Sequence, residues 1–129
     1  MATVRPHPNA WLWTIAALAG LVWGVIAVVF AAIGPSELVP RVFFSYHIEH
    51  FAAFYVLTIV AAAGFPKARL YQVVIALTVM ALTLACIRML IPHHRLSYAE
   101  DLAADIVGVL AASAPILVGR FREIASRKP

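Results

Sequence analysis

The chain has 129 residues, of which 64% are hydrophobic and only 12% charged. Soluble domains average about 45–50% apolar and about 25% charged residues, and disorder needs low hydrophobicity with high charge, so both classes are excluded. An integral membrane protein remains, and its net charge of +4 sits at the ends of apolar runs, which fits topology and not nucleic-acid binding.

Crossing a bilayer takes about 20 mostly apolar residues, and four stretches meet that length. The first, residues 10–33, carries no charge. It exceeds the usual core of a cleaved signal peptide and reads as a retained span. Gly34-Pro35 ends it. Residues 36–46 form a weakly amphipathic connection suited to the interface. The second span covers residues 47–65 and stops at Gly64-Phe65-Pro66. The third covers 70–91 and stops at Pro92; the fourth covers 99–119. No alternating pattern of the kind a β-barrel needs is present. Short connections make successive helices antiparallel neighbours. The expected architecture is therefore all-α: a polytopic membrane protein, one domain over residues 1–129, with a bundle of four transmembrane helices.

Lys and Arg near the span ends set the orientation. Arg5, Lys67, Arg69, Arg120, Arg122, Arg127 and Lys128 fall on one side, against Arg41, Arg88 and Arg95 on the other. This places both termini in the cytoplasm and the protein in the inner (cytoplasmic) membrane, multi-pass. Trp11 and Trp13 then mark the cytoplasmic interface. Ala16, Gly20 and Gly24 in the first span, and Gly108 and Ala112 in the fourth, recur every four residues; small residues so spaced let helices approach closely. The one cysteine, Cys86, excludes an internal disulfide and reads as a buried, inert thiol.

Charge at the bilayer centre costs about 2.5–3.5 kcal/mol per residue, so its placement is informative. His47, Glu49 and His50 open the second span, Arg88 nearly closes the third, and Glu100, Asp101 and Asp105 open the fourth. In an antiparallel bundle these ends share one face, the outer one by the charge count. His47 and His50 share a side of their helix, as do Asp101 and Asp105. Asp105 lies about 9 Å below the start of its span at 1.5 Å per residue and is expected to face the bundle interior. Arg88 is its natural counter-ion, or that of Asp101. Glu100 and Glu49 fit helix starts in water or the edge of the cluster, and His93 and His94 fit loop positions.

Two stretches resemble the VanZ-like family of small membrane proteins. That family's first motif has an Asp-Lys pair, a His-Phe opening a span, then Tyr and Leu. Here His50, Phe51 and Leu57 match; Tyr46 and His47 replace the pair, and Phe54 stands for the Tyr with Tyr55 beside it. The second motif ends a span with Glu and Gln, followed by Pro, Arg, Ser, Asp, Asn and Gly. Here Pro92, Arg95, Ser97, Asp101 and Gly108 match, with Asp105 in the Asn position and Arg88 near that of the Gln. No acidic residue precedes Pro92. The resemblance covers residues 46–112 and identifies a divergent member. Asp105 and Arg88 are expected to form an ion pair replacing neutral amides. The resemblance implies a small helical bundle, a cell-envelope role, and a family link to teicoplanin (glycopeptide) resistance.

Three functions are compatible with these residues. His47, His50, Arg88, Arg95, Ser97, Asp101 and Asp105 form a candidate ligand site, in which the arginines would hold an anionic headgroup of a lipid or of a lipid-linked or cell-wall-linked molecule. An intramembrane enzyme would use the same His and Asp groups for acid–base work, or to hold a metal, on a lipid-linked substrate. A structural or accessory subunit would use the cluster to join helices, and a homo-oligomer is compatible with all three. A proton relay through Asp105 is a further use of such a group. The chain has no HExxH, GxSxG or P-loop motif, so whether it is an enzyme is open, and no cofactor is implied. Binder and enzyme require an open cleft at the cluster; the structural role requires a closed one with every carboxylate paired.

Overall fold

A computed structural model describes residues 9–35, 37–39, 41, 43–91 and 98–126. Among these residues there are four helices and no strand: α1 (Ala10–Ile33), α2 (Tyr46–Gly64), α3 (Leu70–Met89) and α4 (Tyr98–Ser126). Each is long and apolar enough to cross a membrane, and only helices and closed barrels satisfy every backbone polar group in hydrocarbon.

The ends follow local chemistry. Ser45 adopts an extended conformation before α2, so the helix starts at Tyr46, one residue earlier than the hydropathy run suggests. The Glu49 carboxylate folds back and accepts the Phe43 N–H at 2.9 Å. α2 closes with the Phe65 N–H on the Ala61 carbonyl, and Pro66 keeps Phe65 out of the helical region. α3 stops at Met89, short of the expected residue 91. Its last amides, from Leu90 and Ile91, turn back to Ile87 and Arg88, tightening the end as short 3₁₀ turns do. α4 runs to Ser126, beyond the expected 119. Its 29 residues span about 43 Å at 1.5 Å each, more than the roughly 30 Å of hydrocarbon. Arg120, Arg122, Glu123 and Ala125 are sound helix formers, so nothing local stops the helix where the apolar run ends. The predicted interfacial stretch 36–46 lies partly outside the described residues; of the rest, Leu38 closes a turn on Pro35 and only Tyr46 is helical.

α2 and α4 form the central pair, with α1 against α2 and α3 against α4; α1 and α3 also touch. The core is Phe54, Leu57 and Ala61 of α2, Val73, Leu77, Ala81 and Leu84 of α3, and Val109 of α4, joined by Ala32 of α1. These positions recur at three- and four-residue steps, one stripe per helix. Of the small residues, Gly24 and Gly108 lie at close helix approaches, while Ala16 and Gly20 are exposed. A Cβ at position 108 would lie 2.5 Å from the Phe51 carbonyl oxygen, and one at 24 would lie 2.9 Å from a Leu57 methyl. Gly108 therefore sets the α2–α4 approach and Gly24 the α1–α2 approach. The outward faces are apolar, including Trp11, Trp13 and Trp23, as contact with lipid requires. Cys86 is a correction: it is exposed on the bundle surface, because it falls off the Leu77–Ala81–Leu84–Arg88 stripe that α3 buries.

Candidate functional site

The ends of α2, α3 and α4 do meet. Arg88, Asp101 and Asp105 are 5%, 6% and 4% exposed. Arg88 donates from Nη1 to Asp101 Oδ2 at 3.3 Å, from Nη2 to His50 Nε2 at 3.2 Å, and from Nε to the Ala32 carbonyl at 3.3 Å. Its guanidinium also lies 5.8 Å from the Tyr46 ring centroid, within cation–π range. His50 Nδ1 is 2.8 Å from Asp105 Oδ1. His47 Nδ1 is 3.1 Å from Asp101 Oδ1, and its Nε2 is 3.2 Å from Glu100 Oε2.

Ala32 lies in the last turn of α1, where carbonyls have no partner within the helix and the dipole favours a cation. Arg88 thus closes the end of α1 while neutralising Asp101. Asp101 sits in the first turn of α4, where the dipole favours a carboxylate, and Asp105 lies one turn deeper. One arginine on α3 thereby engages α1, α2 and α4 together.

Donor and acceptor chemistry fixes the proton positions. A guanidinium only donates, so His50 Nε2 accepts from Arg88. Its proton is then on Nδ1, which donates to the Asp105 carboxylate, and His50 is neutral. Both nitrogens of His47 face carboxylate oxygens. Arg88 and Asp101 form a buried ion pair, while His47 is half-exposed and Glu100 faces solvent.

The expected partnership differs in one respect. Arg88 pairs with Asp101, and Asp105 pairs with His50; the histidine stands between Arg88 and Asp105. Asp105 is one turn deeper than Asp101, beyond what the guanidinium reaches once it is held at Ala32. Arg95 and Ser97, predicted site members, lie outside the described residues, as do His93 and His94. Tyr46 and the Ala32 carbonyl were not predicted members. Tyr46 carries no charge to attract notice, and a carbonyl has no residue-type signal beyond the helix stop at Gly34-Pro35.

The site is closed. No buried side-chain nitrogen or oxygen among the described residues lacks a partner. The associated cavity, bordered by His50, Phe54, Leu84, Arg88 and Asp105, holds about 10 Å³, the space of one water at most. Among the described residues no three His, Cys, Asp or Glu side chains converge to hold a metal, and Arg88 occupies the position from which a cation would be repelled.

The two histidines differ in exposure, with side chains 45% (His47) and 12% (His50) accessible. His50→Ala is expected to cost about 1–3 kcal/mol, because it strands Asp105 and one Arg88 amino group in the interior. His47→Ala is expected to cost under about 1 kcal/mol, since water replaces its contacts. Thermal unfolding in detergent measures both, and the reverse order would show that burial does not set the cost at this cluster.

Four apolar helices joined over a buried ionic cluster define a multi-pass α-helical membrane protein. Set against protein-family models, curated proteins and solved structures, the chain has no match.

Proposed function

We propose that this chain is a VanZ-like protein of the cytoplasmic membrane, with its cluster on the outer face, acting as a structural or accessory component of the cell envelope. The cluster is a clasp that fixes the relative positions of the four helices. The observation that carries this reading is closure: Arg88, His50, Asp101 and Asp105 satisfy one another and the end of α1, and among the described residues the cavity beside them holds about 10 Å³. The motif residues His50, Phe51, Asp101 and Gly108 support the family, and the excess of Lys and Arg at the opposite ends supports the orientation.

Catalysis fits less well. The His50 lone pair receives Arg88 and both His47 nitrogens face carboxylates, so neither ring is free to take a substrate proton. A second reading is binding of an anionic lipid or of a lipid-linked or cell-wall-linked ligand. It is favoured by the length of the Arg88–Asp101 contact, 3.3 Å. Charge-assisted bonds run to about 2.7–2.9 Å when tight, so a phosphate could exchange for Asp101.

The Asp101→Asn variant separates the readings. The clasp predicts an expressed protein with a lowered unfolding temperature and an unchanged set of co-purifying lipids. An unaltered unfolding temperature with loss of one lipid, read by mass spectrometry, would install the binding reading instead. A stable variant that fails to support growth in teicoplanin, where the wild type does, would point to an active role for the carboxylate.

A further inference from the structure

We propose that the opposite end of the bundle carries a binding groove for an anionic glycerophospholipid, independent of the clasp. The groove runs between the start of α3 and the last turns of α4 and encloses about 520 Å³. On α4 its wall is Ser113, Leu117, Arg120, Phe121 and Ile124, a single stripe at steps of four, three, one and three. On α3 it is the first turn, including Leu70 and Val74, with Arg69 at the mouth. The trough is therefore largely apolar, with both arginines in the half away from the clasp, and it pairs apolar with cationic surface as a phospholipid requires.

The two arginines are built differently. Arg120 is half-buried, and its Nη1 donates to the Ala68 carbonyl at 3.4 Å. That contact holds the guanidinium across the groove end and leaves other N–H groups available. Arg69 is exposed on the facing wall. Among the described residues neither has a carboxylate within ion-pair distance; Glu123, the one acid on this part of α4, is exposed and makes no ion pair. Unneutralised arginines facing each other suit a phosphate, which takes their forked N–H groups. The start of α3 adds the positive end of a helix dipole.

The apolar trough decides the source of that phosphate. A soluble anion uses none of Leu70, Val74, Leu117 or Phe121, whereas acyl chains fill them without any desolvation of the protein by water loss. The arginines decide the headgroup. A choline headgroup adds a cation beside two others; a glycerol headgroup does not. Basic pockets between helices at this membrane depth favour anionic lipids by roughly fivefold for each Lys or Arg near the surface.

The test uses the full chain in a mild detergent, incubated with phosphatidylglycerol or phosphatidylcholine of matched chains and examined by native mass spectrometry. The wild type is expected to retain phosphatidylglycerol preferentially. The preference is expected to fall about fivefold in Arg69→Gln and again about fivefold in Arg120→Gln. Arg122→Gln, which lies off the groove, is expected to change it less than about twofold on the same scale. Equal retention of the two lipids by the wild type overturns the proposal. So does an equal loss in Arg122→Gln, full displacement of the lipid by inorganic phosphate, or a second copy of the chain bound in place of lipid. If Arg120→Gln fails to fold for want of its Ala68 contact, the exposed Arg69 carries the test alone.

Discussion

Replacing Arg88 with methionine is expected to lower the stability of the bundle by about 3–5 kcal/mol, the cost of leaving buried charge without its partner. Methionine keeps most of the volume, so packing against Leu84 and Phe54 is little changed and the loss reports on charge. Three consequences fall together. Among the described residues Asp101 keeps only His47, the α1 carbonyl at Ala32 loses its donor, and His50 Nε2 loses the group that fixes its tautomer. Asp101→Asn in the same chain removes the stranded carboxylate. The double variant is then expected to recover at least about 1 kcal/mol relative to the sum of the single changes, the scale of coupling between residues in contact. Unfolding by denaturant in micelles, followed by far-ultraviolet circular dichroism, measures the cycle. Strict additivity would show that Arg88 and Asp101 do not act as a pair.

Gly108→Ala is the second large effect. The added methyl would meet the Phe51 carbonyl oxygen at 2.5 Å and the Tyr55 amide nitrogen at 3.2 Å. Both are backbone atoms, so no side-chain rotation relieves the contact and α2 must move away from α4. That movement costs about 1–3 kcal/mol as overpacking. It also carries His47 and His50 away from Asp101 and Asp105, since the same two helices hold both pairs. Gly119→Ala is the control: nothing lies within 4 Å of its Cβ position, and alanine favours a helix by up to about 1 kcal/mol over glycine. The two variants are expected to move the unfolding temperature in opposite directions. A neutral Gly108→Ala would mean that the α2–α4 interface is looser than its geometry.

Cross-linking the two effects gives the logic of the molecule. Lipid is as apolar as leucine, so burying leucine does not by itself hold transmembrane helices together. Close backbone approach at Gly108 and Gly24 supplies dispersion contacts, and the clasp at Arg88 supplies polar ones. The two adjoin: Gly108 lies less than one turn past Asp105 on α4 and packs on the carbonyl of Phe51, next to His50. The α2–α4 pair is thus fixed where close approach and clasp meet, while α1 touches the rest through Gly20, Gly24 and Ala32.

The amino-acid sequence by itself determined the number of helices, most of their ends and five side chains that meet in the cluster. Each rests on a local quantity: the length of an apolar run, a Gly-Pro or Phe-Pro stop, and a three- or four-residue step that puts two side chains on one side of one helix. His47, His50, Arg88, Asp101 and Asp105 meet because antiparallel spans bring their ends to one face. Only the tertiary structure decided who pairs with whom. Arg88 takes Asp101 and not Asp105, and His50 fills the gap, because pairing depends on the rotation and depth of one helix against another. Those are set by distant contacts, Gly108 on Phe51 and Ala32 on Arg88, which no single run of sequence expresses. The same holds for the groove at Arg69 and Arg120. Both arginines read as topology signals in the sequence, and their facing placement exists only once α4 continues past its apolar run beside the start of α3.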